Sequence, residues 1–530
     1  MDAGTPGPGI ELISIRWERV QLILETRILP GATIEPAGLG LAKVGAPEAM
    51  APTHIATAGD RLTLRYNVIL GPGQQPLEPG RWTLRIPVST ALAGSDDPPI
   101  GDFPLSQGLY RVRPVLDAAA NTLAVDVSFD PAVRREPATT IAGRVRKAWR
   151  DLMIRLRRVA FRLLVSVSKR LRRPRRRRVL FTSRLISEMS GNLKTVHDRM
   201  VERGLDRDLD LVTMLRPGLT EHWGFTDRVR LAGQLATASV IVIDDTFLPL
   251  YWLSLRPDAR IIQLWHASGA FKTVGYSRTG KHGDLSPFGR VHKNYGAAIV
   301  SSTFDVPFYA EAFGIPEERV VATGIPRMDR FFDEHWREAG IRAAHEAFPA
   351  IAGRTVILLA PTYRGETIRE ASYGFEQLDY SALHALCLER DAVVIIKMHP
   401  FVQARLAIPE AFRDRILDGS ASSMDVNDLL FAVDLLITDY SSIVFEFSTL
   451  GRPMLFFAYD LEAYTAERDF YVPYETFVPG RIVRTFADLL EAIRREDYEL
   501  EKVADFAARH FAHHDAGSTD RVIDDLILAR

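Results

Sequence analysis

"LLITDYSSIVFEFSTLGRP" occupies residues 435 to 453 and divides into a strand, a turn and a helix. Leu435 to Ile437 form a short apolar run, as expected of a strand covered on both faces. Thr438 and Asp439 end it. Ser441 and Ser442 then open an apolar segment that reads as a helix to about Leu450, where Gly451 stops it. A buried strand feeding straight into a helix is part of a βαβ unit, and so of a parallel sheet. Two hydroxyls beside the free N–H groups of a helix start make a place for an anion, which the helix dipole favours. Ser and Asp are also ordinary helix caps, so the same residues fit a purely structural helix. Glu446, one turn in, is placed to accept a ribose hydroxyl.

The alternation recurs on both sides. "VLFTS" (179–183), "LDLVTML" (209–215), "SVIVID" (239–244), "RIIQLW" (260–265), "AIVSS" (298–302) and "VVATG" (320–324) are strand candidates divided by helical segments. A second series follows: "TVILLAPT" (355–362), "AVVIIKMHP" (392–400), "DLLITDYSS" (434–442) and "PMLFFAYD" (453–460). Two such series predict an α/β fold of two Rossmann-like halves, 179–345 and 346–530, facing a cleft.

Ligands of such sheets bind beyond the carboxyl ends of the strands. The polar residues that follow strands are therefore the candidates. "APTYRG" supplies Thr362 and Arg364, whose planar fork suits phosphate oxygens. "IIKMHP" supplies His399, a donor for a leaving phosphate. In "IIQLWHASGAFK" (261–272), His266 is followed only by the small residues Ala267, Ser268 and Gly269. It reads either as a core histidine or as a catalytic base with room for an incoming hydroxyl. Ser190, Gly191 and Asn192 follow the first strand and suit a ligand or a helix cap. Arg327 and Asp329 in "GIPRMDRFF" read as structural, with Arg327 in reach of a phosphate. Asp244-Asp245 alone is weak support for Mg²⁺. No Cys cluster, His-Glu-x-x-His or Walker-type loop occurs, so neither a metal site nor a cofactor is expected, and an ATPase is disfavoured.

Upstream, residues 10 to about 135 alternate polar and apolar positions between Gly/Pro turns, as in "RLTLRYNVIL" and "NTLAVDVSFD". A small all-β sandwich within 1–138 is expected, with a binding or spacing role. Residues 139–178 differ. From Arg144 to Arg178 there are 16 Lys/Arg against one acid, so the remaining chain carries about −16 beneath a net charge of −1. Trp149, Leu152, Met153, Leu156, Ala160, Leu163 and Val167 recur at helical steps, and Pro174 ends the pattern. A basic amphipathic helix fits an anionic membrane surface. A solvated helix docked on a domain and a nucleic-acid contact are the other readings; the apolar stripe favours the membrane.

The remaining bounds are broad. A chain of 530 residues, 47% hydrophobic and 25% charged, predicts several globular domains. The single cysteine, Cys387, excludes an intrachain disulfide framework. The first residues carry no secretory signal, and no window has the roughly 18 apolar residues of a spanning helix. The catalytic part is expected in the cytosol.

Taken in order, "LWHASG", "GIPRMD", "APTYRG", "KMHP" and "ITDYSSIVFEFSTLGRP" resemble the motifs of the bacterial CDP-glycerol glycerophosphotransferase family, the teichoic-acid polymerases and primases. The resemblance covers about residues 179 to 520. It implies a glycosyltransferase-B type fold and transfer of glycerol phosphate, or a related polyol phosphate, from a CDP-polyol to a hydroxyl, releasing CMP. His266 and His399 match the family's functional histidines. Arg364, Ser441 and Ser442 match positions that hold the donor's phosphates, with Thr362, Asp439 and Glu446 beside them. Ser268, Gly269, Asn192 and Arg327 are the possible substrate contacts. The implied partners are CDP-glycerol or a related CDP-polyol, a lipid-linked acceptor, and an anionic membrane surface met by residues 144–178; no nucleic acid is expected. The implied location is peripheral, on the cytoplasmic face of the membrane. Where the family usually has glycine and threonine after the first histidine, Ala267 and Ser268 stand here. A nucleotide-sugar glycosyltransferase of the same fold and a non-catalytic membrane scaffold are the rival readings.

Overall fold

The computed structural model describes residues 9–529 except 33, 44, 46–47, 91–97, 106, 118–120, 132, 134–140, 173–176, 185, 216–223, 282–283, 366–369, 403 and 405. Pro174, Arg175 and Arg176 of the basic segment therefore lie outside the described residues, as do residues 1–8.

The first 130 residues form two five-stranded sheets. Alternate side chains (Leu12, Leu22, Leu24, Leu64, Tyr66, Trp82, Tyr110, Val112) fill one apolar core, as strand periodicity requires. The hairpin of Ile10–Glu18 and Gln21–Ile28 turns at Arg19, a non-glycine residue with φ of 55°. Its tip points at the neighbouring α/β part. There the Arg19 Nε–H donates to Glu311 Oε1 at 2.6 Å, and Lys293 Nζ donates to the Gln74 carbonyl at 2.7 Å.

The helix Ile141–Leu171 follows. Among the described residues its anchoring contacts lie in its C-terminal half. Val165 packs with Ala232 and Ala236 of the helix Phe225–Thr237, flanked by Phe161 and Leu164. Arg162 and Lys169 donate to the carbonyls of Trp252 and Ser254, both at 2.9 Å. The stripe read from the sequence is a different face. Trp149, Leu152, Leu156, Leu163 and Val167 are 66, 45, 53, 62 and 48% exposed and face away from the protein. Among the described residues no helix is long and apolar enough to cross a membrane.

Two six-stranded parallel sheets make up the rest. In the first, Arg178–Ser183 lies between Asp210–Leu215 and Val240–Ile243, followed by Arg260–Gln263, Ala297–Ile299 and Val320–Val321. In the second the order is Ile416–Asp418, Ala392–Ile396, Thr355–Leu359, Leu435–Thr438, Met454–Phe457 and Arg481–Val483. The second is the 3-2-1-4-5-6 order of a dinucleotide-binding sheet, whose switch point lies between strands one and four. These are the strands, ending at Leu359 and Thr438, that lead into Thr362 and Asp439. The strand before His266 stops at Gln263, two residues short of the expected end. The helix after Ser442 runs only from Ile443 to Ser448, shorter than its apolar run suggests.

The two halves share one continuous core. Leu193 and Met328 of the first belong to the same apolar cluster as Phe445 and Phe477 of the second. Burial of this joint surface fixes the cleft between the halves.

Candidate active site

The chain turns sharply to present His266. Trp265 has φ of 50°, a left-handed conformation that a bulky side chain rarely adopts. Its neighbours hold it there. Asn192 Nδ2 donates to the Trp265 carbonyl at 2.7 Å, and Gln263 Oε1 accepts from the Trp265 N–H at 2.8 Å. The indole also lies 4.5 Å from the imidazole, centroid to centroid. The His266 residue is exposed, with the Trp265 indole against its ring. His266 Nδ1 sits 3.3 Å from the Asp244 carbonyl, which can only accept, so Nδ1 carries the proton and Nε2 is left with a free lone pair. Partial dehydration holds its pKa below the ordinary 6.5; the Asp244 carbonyl opposes this and nearby Arg327 adds to it. A neutral imidazole with Nε2 open is the form a general base needs.

Ser268 and Gly269, assigned to the substrate from sequence, are engaged with the second half. The Ser268 hydroxyl donates to Glu446 Oε1 at 2.7 Å. A Cβ at Gly269 would stand 2.2 Å from Phe445 Cε1, so only glycine allows the loop this close. Their smallness lets the halves meet. Arg327 donates to Ser268 Oγ at 2.9 Å and pairs with Glu446. Glu446, expected at a ribose, has the Oε1 oxygen already occupied by this buried bridge. The Asn192 carboxamide oxygen accepts from the Arg327 N–H at 3.0 Å, so Asn192 supports both the His266 turn and the bridge.

At the switch point of the second sheet, polar atoms divide into engaged and open. Arg364 is engaged. Its guanidinium forks onto Asp460 at 2.6 and 2.9 Å and reaches Asp439 at 3.0 Å and the Thr362 carbonyl at 2.6 Å. The rings of Tyr373, Tyr440, Tyr459 and Tyr464 surround it at 5.0–5.8 Å. Burial disfavours the charged guanidinium, and the two carboxylates more than reverse that, so it stays charged. The resemblance implies a phosphate contact for this arginine; in the folded chain its guanidinium is bound to Asp460, Asp439 and the Thr362 carbonyl. Asp439 is likewise engaged, accepting from the N–H groups of Thr362 and Tyr440 at 2.7 and 2.6 Å.

Three groups are open. Thr362 Oγ1 is buried without a hydrogen-bond partner. Ser442 begins its helix without a side-chain cap bond. His399 Nδ1 accepts from the Phe401 N–H at 3.2 Å, so the proton resides on Nε2, which is left to donate. Burial lowers the His399 pKa, and Lys272 lowers it further. Ser441 Oγ accepts, at 3.4 Å, from the Ile443 N–H. Unsatisfied donors beside a switch point suit an anionic ligand. Among the described residues no cluster has the make-up of a metal site.

Residues 164–528 match the family described as CDP-Glycerol:Poly(glycerophosphate) glycerophosphotransferase. The chain belongs to that glycerophosphotransferase family. It is therefore a transferase. It is 41% identical over 419 residues to the teichoic acid ribitol-phosphate polymerase TarK of Staphylococcus aureus, covering 79% of this chain and 82% of that protein. It is 30% identical over 295 residues to the teichoic acid glycerol-phosphate primase of Bacillus subtilis, covering 54% of this chain and 73% of that one. Its fold is similar to that of the wall teichoic acid polymerase TagF, with a TM-score of 0.56 at 20% identity over 74% of this chain and 98% of that chain.

Several residues of the candidate site escaped the sequence reading. Asp460 anchors Arg364 from 96 residues away, a pairing with no local signal. Asp244 reaches the site through its backbone carbonyl, which side-chain chemistry does not reveal. Lys272 closes the very stretch that holds His266, and no local pattern around it marks it as a site residue.

Proposed function

We propose that the chain transfers a polyol phosphate, ribitol phosphate in the first place, from its CDP-polyol to a hydroxyl of a lipid-linked wall polymer. The observation that carries this reading is a pair of strand-end histidines, one on each half, with complementary free nitrogens. His266 keeps a lone pair on Nε2 and His399 a proton on Nε2. In the proposed step, His266 Nε2 takes the proton of the acceptor hydroxyl as its oxygen attacks the β-phosphorus in line. The bond to the bridging oxygen breaks, and CMP leaves. His399 Nε2 hydrogen-bonds or protonates the departing phosphate. Thr362 and Ser442 hold phosphate oxygens, while Arg364, Asp439 and Glu446 keep the frame. Solvent then returns each histidine to its starting form.

Ribitol is preferred to glycerol because the ribitol-phosphate relative is the more similar, at 41 against 30% identity. The four parts proposed are the β-sandwich of 1–138, the basic helix and linker of 139–178, an acceptor half of 179–345 and a donor half of 346–530. The exposed stripe of the Ile141–Leu171 helix, rimmed with arginine, supports a peripheral place on an anionic membrane, at its cytoplasmic face, where lipid-linked acceptors are within reach.

The test is to incubate the full chain with a lipid-linked acceptor and CDP-ribitol, CDP-glycerol, or a panel of UDP- and GDP-sugars. Release of CMP with growth of the acceptor, faster with CDP-ribitol, is expected. Release of UDP or GDP instead would identify a sugar transferase. Faster use of CDP-glycerol would reverse the donor assignment.

A further inference from the structure

Lys272 lies six residues after His266, on the loop that leaves the acceptor half. That loop is sewn to the donor half. The Tyr471 N–H donates to the Phe271 carbonyl, and the Thr273 N–H to the Asp469 carbonyl, both at 3.0 Å. Lys272 and Phe470 thus pair as in an antiparallel ladder. Phe271 is stacked on Phe477 at 4.5 Å. The backbone under Lys272 is therefore fixed, and its side chain is directed by that fixation.

The half-buried ammonium lies 5.5 Å from the centroid of the Tyr464 ring, in the field of Asp439, Arg468, Arg364 and His399. It has no hydrogen bond or ion pair with any described residue. Asp439, the nearest carboxylate to act on it, already accepts from Thr362, Tyr440 and Arg364. Burial draws the ammonium down to about 8; Asp439 opposes this, while Arg468 and Arg364 add to it. A cation with three donors and no acceptor is costly to keep in a protein cleft. His399, which feels the field of Lys272, keeps an Nε2–H to donate, and Thr362, whose N–H is bound to Asp439, keeps a buried hydroxyl without a partner. What this group of donors lacks is an anion.

We propose that Lys272 grips the diphosphate of the nucleotide donor, so that the acceptor half supplies a phosphate ligand to a site otherwise built by the donor half. This rests on the reading of the chain as a CDP-polyol transferase. Its position beside His399 puts the ammonium on the oxygens that gain charge as CMP departs. It is carried on the same loop as His266, so one segment delivers both the base and the counter-charge.

The test is calorimetric titration of the full chain with CDP and with cytidine, for the wild type, Lys272→Met and Lys272→Arg. Lys272→Met should weaken CDP on the order of 10- to 100-fold, as expected for loss of a charge-assisted contact. Cytidine, which has no phosphate, should bind all three proteins alike, and Lys272→Arg should recover most of the CDP affinity. Without ligand, Lys272→Met should melt no lower than the wild type, since it removes an unpaired cation. Unchanged CDP affinity, equal loss of CDP and cytidine, or failure of Lys272→Met to fold would each overturn the assignment. A wild-type chain that binds no CDP would overturn both this and the transferase reading; a wild type that binds CDP beside an unaffected Lys272→Met would overturn the lysine alone.

Discussion

His266 is held by groups that cannot themselves react. The Asp244 carbonyl sets its tautomer, Asn192 sets the turn before it, and Trp265 is kept in a left-handed conformation to aim it. Removing the imidazole as His266→Ala should lower kcat by about 100- to 10 000-fold, the range of a lost general base. CDP binding, measured by calorimetry, should hardly change. A variant that keeps wild-type turnover would remove His266 from the base role. The pH profile follows from the same group. A base must be deprotonated, and burial holds this pKa below 6.5. The acid limb of kcat/KM should therefore fall at a pH below 6.5, with activity full at neutral pH and lost as the pH drops through the His266 value. The strand-end positions of His266, His399, Thr362 and Asp439 were legible because apolar runs mark parallel strands and ligands gather at their carboxyl ends. The partners of Arg364 and Glu446 were not. Arg364 meets Asp460 and Glu446 meets Arg327 only after folding joins segments about a hundred residues apart in sequence.

At the scale of the element, the Ile141–Leu171 helix shows what periodicity can and cannot decide. The apolar stripe of Trp149, Leu152, Leu156, Leu163 and Val167 identified a helix, and a helix is there. The face that docks on the protein is carried instead by Phe161, Leu164 and Val165. Packing took the smaller set because it meets two alanines, Ala232 and Ala236, which allow close approach. Replacing Trp149, Leu156 and Leu163 by serine should abolish sedimentation with anionic vesicles and leave the fold intact, since none of the three touches the core. Wild-type binding should weaken with added salt. Equal binding to neutral vesicles would remove the electrostatic part. The short helix Ile443–Ser448 illustrates the opposite case: its apolar run is longer than the helix, because Leu450 packs on the core although the helix has ended at Thr449.

Among the seams that join the whole molecule are the shared core of the halves, the Arg327–Glu446 bridge and, third, the contact of the N-terminal sheets with the rest. Arg19 is central to the third. It pairs with Glu311, which is only 2% exposed, and covers the Tyr471 ring at 5.2 Å. Arg19→Met would leave Glu311 buried and unpaired, at a cost of about 3–5 kcal/mol. A urea titration should show this as a lower midpoint; a loss below about 0.5 kcal/mol would mean that the pair does not hold the seam. Tyr471 in turn lies beside Phe470, the partner of Lys272, so the hairpin tip leans on the strand that fixes the reactive loop. The β-rich character of this part was readable from alternation. Its docking was not, because Arg19 looks like any hairpin-tip charge until Glu311 is seen beneath it.

The backbone ladder between Phe271–Thr273 and Asp469–Tyr471 works as a hasp across the slot. Two-lobed enzymes commonly gape and shut about a hinge. Here gaping would first tear out a pair of main-chain hydrogen bonds and unstack Phe271, which makes it a local unfolding event. The jaws are thus set once, when the chain folds, and a ligand that enters the slot does so without the halves parting.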